Sequence, residues 1–397
     1  MEKFVSVLGN PETTYPVIHI TGTNGKGSTA RMITRLLMAQ GLTVGTYLSP
    51  HLERYNERIR LDDIDISDED FAELFARLEP FERLLDQPPS HFELLTAAGF
   101  TYFADLAVDV AVVEVGLLGR YDATNVCEAT VAVITNIGRD HSDYQGDWRE
   151  RIAREKAGII KASSHLILGE AAPALRPIFL AEKPAAHWVR RADFGCDSNQ
   201  LAVGGRILDV RTPLHTLQDV FVPLHGAHQG DNAAVAIAAV EAFFGRPLDA
   251  EVVADALFNV AVPGRFEVMR RNPLVILDGA HNPDGAEAAG SVLAEEFAVQ
   301  GRRILVIGVL SDRDVAAMLR GLGVETFDRV ICCTPPSPRA VSGEELALVV
   351  ASLGVAAEVA PSIPDALRRA RAGAGVEDLI FVSGSLYLVG MVRNLLH

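Results

Sequence analysis

Short apolar runs alternate with helical patterns over the first 160 residues. Residues 17–20, 44–48, 108–115 and 130–135 are dense in Val, Ile and other apolar residues and too short for typical helices. Such runs are typical of strands buried on both faces. Residues 28–40 and 67–78 carry apolar side chains at helical spacing, and a further helix is predicted from Asp147. This strand–helix rhythm predicts an α/β fold built on a mostly parallel sheet.

In the second half of the chain, the alternation of strand and helix patterns is interrupted and then resumes. Residues 185–224 hold short β-like runs without a helical pattern, and residues 231–244 form an Ala-rich helical stretch that ends at Gly245. After residues 262–265, which resemble a hinge, five further strands are predicted at 274–277, 303–309, 329–333, 356–359 and 378–382. We therefore predict two domains, 1–271 and a smaller Rossmann-like α/β domain at 272–397.

Composition removes several classes of protein. The 397 residues are 49% hydrophobic and 22% charged, as in ordinary globular proteins. The 36 Lys and Arg against 52 Asp and Glu give a net charge of −16, which argues against a general nucleic-acid binder. The four cysteines form no C-x-x-C pair, so reduced thiols are expected. Neither a basic, apolar leader nor an apolar stretch of membrane-spanning length is present, and we expect a soluble cytoplasmic protein.

Residues 21–29 read T-G-T-N-G-K-G-S-T between a predicted strand and a predicted helix. In this context glycines let backbone N–H groups approach phosphates, and the helix N-terminus adds a positive dipole. Lys26 is expected to reach the β- and γ-phosphates, and Ser28 or Thr29 to approach magnesium. The strict phosphate-loop pattern is not met, because Ile20 replaces its first Gly and Gly27 follows Lys26. The alternative is a Gly-rich turn with a solvated lysine.

Other candidates follow predicted strands, where open α/β sheets build their sites. Glu114 ends a buried run and is a suitable oxygen ligand for Mg²⁺, or else a solvent-facing carboxylate. Taken alone, Ser49 before Pro50 indicates only a turn, and a lone His141 is more often structural.

A set of motifs in fixed order carries a family resemblance. After G-T-N-G-K-G-S come S-P-H-L at 49–52, E-R-I at 57–59 and E-V-G-L-L-G-R-Y-D-A-T-N at 114–125. D-H at 140–141, R-E-K-A-G at 154–158, P-G-R-F at 263–266 and D-G-A-H-N-P at 278–283 follow. Together they resemble the Mur ligase superfamily, and the Gly after Lys26 resembles its folylpolyglutamate synthase/dihydrofolate synthase branch.

The resemblance implies a phosphate-loop ATPase domain, a C-terminal glutamate ligase domain, and an ATP-dependent ligase. Such an enzyme adds L-glutamate to folates through an acyl phosphate, and dihydropteroate is left open as a second substrate. The implied partners are ATP, L-glutamate and a reduced folate or dihydropteroate, with no nucleic acid or membrane, and the implied state is a monomer. Two Mg²⁺ ions are implied as cofactors, with ATP binding to both domains.

The resemblance also assigns residues. The implied ATP-binding residues are Thr23, Asn24, Gly25, Lys26, Gly27, Ser28, Asn232, Arg265 and Asp278, and the implied catalytic residues are Lys26 and His281. The implied folate-binding residues are Phe92, Glu93, Asp122, Ala123 and Thr124. The implied metal ligands are Ser49, Glu114, His141 and Lys156, the last as a carbamate. From the residues alone, Phe92 remains a candidate core aromatic and Lys156 an ordinary helical lysine.

Two departures from the family pattern are visible. Leu118 replaces a glycine, so the backbone there is expected to be less free. The chain also begins close to its first strand, which indicates either a truncated start or a reduced pterin site.

Three other classes compete with this assignment. A cell-wall Mur ligase with a UDP-sugar substrate is disfavoured by Gly27, by S-P-H and by the lack of an obvious UDP-binding domain. A phosphate-loop NTPase that drives movement or regulation does not explain D-G-A-H-N-P. A non-enzymatic nucleotide-binding relic is disfavoured because Lys26, Glu114, His141 and Lys156 are all present.

Overall fold

The computed structural model describes residues 1–140 and 145–397. Its strands are β1 Val17–Thr21, β2 Val44–Tyr47, β3 Ile59–Leu61, β4 Ile64–Asp65, β5 Val110–Glu114, β6 Ala129–Ile134, β7 His165–Leu168, β8 Ala186–Val189, β9 Gly195–Ala202, β10 Gly205–Arg211, β11 Thr216–Val222, β12 Glu267–Arg271, β13 Leu274–Leu277, β14 Arg303–Ile307, β15 Arg329–Cys332, β16 Ala357–Val359 and β17 Leu379–Ser383.

The α-helices connect and cover these strands. They are α1 Glu2–Val7, α2 Lys26–Ala39, α3 Asp68–Glu82, α4 His91–Asp105, α5 Trp148–Ala157, α6 Arg176–Leu180, α7 His228–Phe244, α8 Ala250–Phe258, α9 Pro283–Glu296, α10 Val315–Leu322, α11 Gly343–Ser352, α12 Ile363–Ala372 and α13 Leu386–Leu396. Within the described residues, no helix is both long enough and apolar enough to cross a bilayer.

The chain divides into two compact units. Of the described residues, the first comprises 1–138, 145–223 and 229–261, and the second comprises 139–140, 224–228 and 262–397.

The first unit is built on an eight-stranded sheet in the order β4-β3-β2-β5-β1-β6-β7-β8. The strands from β2 to β8 in this order run parallel, and β3 and β4 form an antiparallel extension. Every residue of β1 and β5 is buried, as their continuous apolar patterns predict. Strands β9 to β11 form a separate three-stranded antiparallel sheet, where the sequence predicts short β runs without a helix.

The second unit has a six-stranded sheet in the order β12-β13-β17-β14-β15-β16. Its five predicted strands are present and mutually parallel, and its core includes Phe266, Leu305 and Phe381. The predicted α/β class, a mostly parallel large sheet followed by a smaller α/β sheet, is therefore confirmed.

Strand β12 is absent from the sequence prediction. Its sequence, Glu-Val-Met-Arg-Arg, has two charged residues at its end, and the strand pairs antiparallel with β13 at the sheet edge. An edge strand tolerates such residues because one side of it remains unpaired. The domain limits 1–271 and 272–397 stay a prediction; by its pairing, β12 packs with the C-terminal sheet although it precedes residue 272.

Candidate functional site

The carboxyl ends of four adjacent strands meet at one edge of the large sheet. Ile20 of β1 is in register with Glu114 of β5 and with Val133 of β6, and β2 lies on the other side of β5. Parallel pairing therefore brings together the segments that follow β1, β2, β5 and β6. These segments carry most of the residues that the sequence assigns to phosphate and metal binding.

The phosphate loop is held by the segment that follows β6. The backbone N–H of Thr23 donates to the carbonyl of Asn136 at 3.0 Å, and the Thr23 hydroxyl oxygen accepts from Gly138 N at 2.9 Å. The backbone N–H of Asn24 donates to Asn136 Oδ1 at 3.0 Å. Thr135 Oγ1 donates to the Asn24 carbonyl at 2.7 Å. The loop is therefore preorganised by its neighbour.

Gly25 turns the chain into α2 and lies against Asn232. Its φ of +82° lies in the left-handed region, and a Cβ added there would lie 2.4 Å from Asn232 Oδ1. Only glycine fits both conditions. Asn232 is buried and donates from Nδ2 to Gln229 Oε1 at 2.9 Å. Two predicted ATP-binding residues, Gly25 and Asn232, are thus brought together. Ser28 lies buried in the first turn of α2.

Two lysines converge on one carbonyl oxygen of this loop. Lys26 Nζ donates to the carbonyls of Gly22 and Thr23 at 3.1 and 3.2 Å. Lys156 Nζ, from α5, donates to the same Gly22 oxygen at 2.8 Å. Burial, reinforced by the Lys26 ammonium, lowers the pKa of Lys156 well below its usual value of 10.5. A neutral amine at Lys156 avoids two positive charges on one carbonyl.

Ser49 and Glu114 form a pair of oxygen donors beside this loop. The Ser49 backbone N–H donates to Glu114 Oε2 at 3.2 Å, and a Cβ added at Gly27 would lie in ordinary van der Waals contact with the same oxygen, at 3.6 Å. Ser49 Oγ is buried and has no hydrogen-bond partner among the described residues. A buried orphan hydroxyl next to a buried carboxylate fits a hard divalent cation, which prefers oxygen ligands.

The other two predicted metal ligands are Lys156, on α5, and His141. His141 lies outside the described residues. No group of three or more His, Cys, Asp or Glu side chains suited to a metal occurs in residues 1–140 and 145–397. The predicted set mixes a serine and a modified lysine with Glu114, so it differs from such a group.

Phe92 and Asp122, two predicted folate-binding residues, lie in the first unit. Phe92 packs on Gly116, where an added Cβ would come within 2.3 Å of its ring, and its ring centroid lies 6.2 Å from that of Tyr47. Asp122 Oδ2 accepts from the backbone N–H of Leu117 at 2.8 Å. Its other oxygen accepts from the backbone N–H and hydroxyl of Thr124 at 3.0 and 2.6 Å. Burial raises the pKa of Asp122.

The next residues are placed differently from one another. Ala123 is buried directly after Asp122, at the start of a short 3₁₀ turn. Glu93 caps α4, accepting from the Ser90 backbone N–H at 2.9 Å, and pairs with the Met1 amine at 2.9 Å. These contacts lower the pKa of Glu93 to about 2. Glu93 therefore has a structural task that the sequence prediction did not assign to it.

In the second unit, Asp278 follows β13 and binds backbone groups. Its carboxylate accepts from the N–H of Phe266 at 3.2 Å and from that of Ala280 at 2.9 Å. Burial raises the pKa of Asp278, although the nearby Arg265 guanidinium opposes the shift. Asp278 thus ties the segment that contains Arg265 to the end of β13.

His281 lies three residues further on, near Asp140. Its Nδ1 donates to the Gly279 carbonyl at 2.8 Å, which leaves Nε2 4.0 Å from Asp140 Oδ2. Asp140 is also ion-paired with the buried Arg313. Asn282 caps α9 by accepting from Gly285 N at 2.8 Å.

Sequence reasoning missed the groups that hold these loops. Thr135 and Asn136 come after a buried strand, as Ser49 does, so their position was a usable signal. Arg313 belongs to no motif, and only the fold brings it to Asp140.

Comparison with known proteins gives consistent matches. Residues 91–240 match the Mur ligase middle domain, and residues 264–386 match the Mur ligase glutamate ligase domain. A dihydrofolate synthase/folylpolyglutamate synthase of Mycobacterium tuberculosis is 42% identical over 372 residues, which span 88% of this chain and 76% of the relative.

Solved structures agree along nearly the whole length. Mycobacterium tuberculosis folylpolyglutamate synthase complexed with ADP and AMPPCP is 40% identical, with a TM-score of 0.95, covering 100% of this chain and 94% of that one. E. coli FolC in complex with DHPP and ADP is 33% identical, with a TM-score of 0.89 and coverages of 99% and 91%. A bifunctional folylpolyglutamate synthase/dihydrofolate synthase with Mn, AMPPNP and L-glutamate bound is 32% identical, with a TM-score of 0.89 and coverages of 100% and 93%.

The identity to the Mycobacterium tuberculosis relative is high enough, over enough of both chains, to settle the family. The ordered motifs and both domain matches agree with it. The chain belongs to the dihydrofolate synthase/folylpolyglutamate synthase group of the Mur ligase family.

Proposed function

We propose that this chain uses the end of its large sheet to activate a folate-type carboxylate with ATP, and that it accepts both dihydropteroate and reduced folates. Family membership makes it an ATP-dependent ligase that forms a C–N bond to L-glutamate. The Mycobacterium tuberculosis relative carries both activities in its name, which supports the proposal of two substrates.

The observation that carries the proposal is the pair of lysine nitrogens on the Gly22 carbonyl, at the N-terminus of α2. A carbonyl oxygen is a weak partner for an ammonium. Phosphate oxygens carry formal charge and are therefore better partners for Lys26. We assign nucleotide phosphates to the backbone of residues 23–28 and to Lys26.

In the proposed reaction, negative charge develops on the phosphoryl group that we assign to Lys26 and the phosphate loop. The substrate carboxylate attacks the γ-phosphorus of ATP, ADP leaves, and an acyl phosphate forms. The neutral amine of L-glutamate then attacks the acyl carbon, inorganic phosphate leaves, and the amine loses a proton. Lys26 stabilises charge on the transferring phosphoryl group, so we assign it a catalytic role.

A divalent cation completes this account. Ser49 Oγ and Glu114 would hold one Mg²⁺, which neutralises phosphate charge when bound. A bound Mn in a relative's structure supports a divalent metal for the family. We assign a second Mg²⁺ to His141 and to the carbamate of Lys156.

The environment of Lys156 favours that modification. A neutral amine attacks CO₂, a C–N bond forms, and loss of one proton leaves a carbamate anion. The lowered pKa of Lys156 supplies the neutral amine, and the adjacent Lys26 ammonium favours the resulting negative charge. Lys156→Ala should therefore be strongly impaired, and added short carboxylates should restore part of its activity. A fully active Lys156→Ala variant would refute this role.

The other assigned residues divide between the ligands. We assign the folate substrate to Phe92, Glu93, Asp122, Ala123 and Thr124, and further nucleotide contacts to Asn232, Arg265 and Asp278. His281, whose Nε2 is directed towards Asp140, is assigned to the reacting groups. We propose a monomer as the working state.

The test is ADP release with L-glutamate and either dihydropteroate or a reduced folate, with mass spectrometry of the product. The proposal predicts glutamate-dependent ADP release and a product one glutamyl residue heavier with each substrate. If product forms from only one of the two substrates, the proposal that the chain also accepts the other substrate is wrong. ADP release that is independent of glutamate would contradict the ligase mechanism.

A further inference from the structure

His19 lies in the middle of β1 with no exposed surface, two residues before the phosphate loop begins. Its Nε2 is 2.9 Å from Thr124 Oγ1, and its Nδ1 is 3.7 Å from Cys127 Sγ. The side chain therefore joins the strand that leads to the ATP loop to the segment assigned to the folate substrate. No step described above uses it.

The protons of this network can be assigned from donor and acceptor capacity. The Thr124 hydroxyl has one proton and donates it to Asp122 Oδ1 at 2.6 Å. Thr124 Oγ1 must therefore accept from His19 Nε2–H. Burial, with a contribution from Lys161, lowers the pKa of His19 to about 3, so the imidazole is neutral and its Nδ1 is an acceptor.

Cys127 is the last member of this hydrogen-bond network. Burial raises the pKa of the Cys127 thiol to about 12, so the sulfur keeps its proton and can donate it to His19 Nδ1. Each group between Cys127 and Asp122 thus has one defined orientation, running from thiol to imidazole to hydroxyl to carboxylate. The tautomer of His19 is fixed by both of its neighbours.

We propose that His19 is a positioning residue for substrate recognition: its Nε2–H orients the Thr124 hydroxyl, which in turn orients the Asp122 carboxylate towards the N–H groups of a pterin-type ligand. The inference rests on the proposed function, which assigns Asp122 and Thr124 to the folate substrate. His19 itself touches no substrate.

Burying polar side chains costs desolvation free energy, which their hydrogen bonds must offset. An apolar side chain at position 19 would fill a fully buried site without the cost of burying polar atoms. A fully satisfied network instead fixes geometry, and here it fixes one oxygen of Asp122 while the Leu117 N–H holds the other at 2.8 Å. Rigid placement of a recognition group lowers the cost of binding.

The test compares His19→Leu, which removes the donor, with His19→Gln, whose amide can donate to Thr124 and accept from Cys127. The KM for dihydropteroate or reduced folate, the KM for ATP and urea unfolding are measured in parallel. His19→Leu should raise the folate KM about tenfold, the loss of one buried hydrogen bond, and leave the ATP KM within about twofold. His19→Gln should recover most of the folate KM.

Cys127→Ser is the matched control, because serine can still donate to His19 Nδ1 and leaves the bond to Thr124 in place. Its folate KM should stay within about twofold of the wild type. Should His19→Leu fail to fold, Thr124→Val removes the other partner of the same bond and should raise the folate KM by a similar factor.

Different outcomes would overturn the positioning role of His19 and the proposed ligase function. An unchanged folate KM in folded His19→Leu, or in Thr124→Val if that is the variant that folds, overturns the positioning role. Equal increases in the ATP and folate KM also overturn it, as does a His19→Gln variant no better than His19→Leu. A wild-type chain that forms no glutamyl product with any pteridine acid overturns the proposed function instead.

Discussion

The carboxyl ends of β1 and β13 have the same local architecture, but one carries cationic side chains and the other a carboxylate. Each is a parallel strand followed by a loop and a helix, α2 in the first unit and α9 in the second. After β1, Lys26 and Lys156 donate to loop carbonyls. After β13, the Asp278 carboxylate accepts two backbone N–H groups.

The two ends differ in which of their contacts a ligand can replace. The hydrogen bond of an ammonium becomes stronger when a charged phosphate oxygen replaces a neutral carbonyl oxygen as its acceptor. The buried Asp278 carboxylate already accepts two backbone N–H groups, and its removal would leave both donors unpaired. The lysines at the β1 end therefore favour the binding of an anion, whereas Asp278 at the β13 end stabilises its own loop in addition to the nucleotide contact that we propose for it.

The largest expected effect is at Lys26. Lys26→Ala removes the ammonium assigned to the transferring phosphoryl group, so kcat/KM for glutamate-dependent ADP release should fall by about three orders of magnitude. The free energy of unfolding should change by less than about 1 kcal/mol, because the Gly22 and Thr23 carbonyls that accept from Nζ belong to the same loop. Both quantities are measured on the same preparation.

Lys3→Ala is the matched control, since Lys3 is exposed and pairs with Asp86. It should leave the ADP-release rate unchanged. A well-folded Lys26→Ala variant with near-normal turnover would remove the phosphate assignment from the β1 end.

Asp278→Asn tests the other side of the comparison. An amide can accept from only one of the two N–H groups and turns its own donors towards the other, so unfolding should become easier by about 1–3 kcal/mol. Urea denaturation gives this value, and Asp312→Asn, at a partly exposed ion pair, should cost less than about 0.5 kcal/mol. A stable Asp278→Asn variant whose only change is a raised ATP KM would show that the Asp278 carboxylate serves the proposed nucleotide contact and not the stability of the β13 end.

Lys156 gives a pH dependence with a definite sign. In CO₂-free buffer its folded-state pKa is lower than its usual 10.5, so between the two values the unfolded chain binds a proton that the folded chain does not. The free energy of unfolding should therefore rise with pH across this window and fall as pH decreases.

The comparison that isolates this dependence uses Lys156→Met. Urea denaturation from about pH 7 to about pH 9 should give the wild type a steeper rise than Lys156→Met, by up to about 1.4 kcal/mol per pH unit. Equal slopes would mean that Lys156 is charged in the folded chain, and the argument for a reactive neutral amine would fail.

The smallest effect is expected at Leu118, which departs from the family's glycine. Its φ of +58° lies in the left-handed region, and its carbonyl accepts from Thr21 Oγ1 at 2.5 Å. Leu118→Gly relieves backbone strain but loses apolar contacts, so the free energy of unfolding should change by less than about 1 kcal/mol. A loss of more than about 3 kcal/mol by urea denaturation would show that packing dominates there.

Much of the fold could be predicted because buried parallel strands have a continuous apolar pattern. Strand β13 was predicted with its observed limits, and β1 to within one residue. Strand β12 was missed because its charged residues are tolerated only at a sheet edge, and pairing decides which strand is at the edge.

The site was predictable as a set of motifs but not as a set of contacts. The motif order assigned Lys26 and Lys156, yet no local pattern indicates that both bind the Gly22 carbonyl. Glu93 is a different case, because its capping of α4 follows from Ser90, three residues earlier, and that signal was available in the sequence.

In the proposed reaction, the β1 end activates the substrate carboxylate by phosphorylation. This step can be followed with a folate substrate whose reacting carboxylate carries a heavy oxygen isotope, by mass analysis of the inorganic phosphate after turnover. Transfer through an acyl phosphate predicts one labelled oxygen in each phosphate released. Phosphate without label, alongside normal formation of the glutamyl product, would contradict the account.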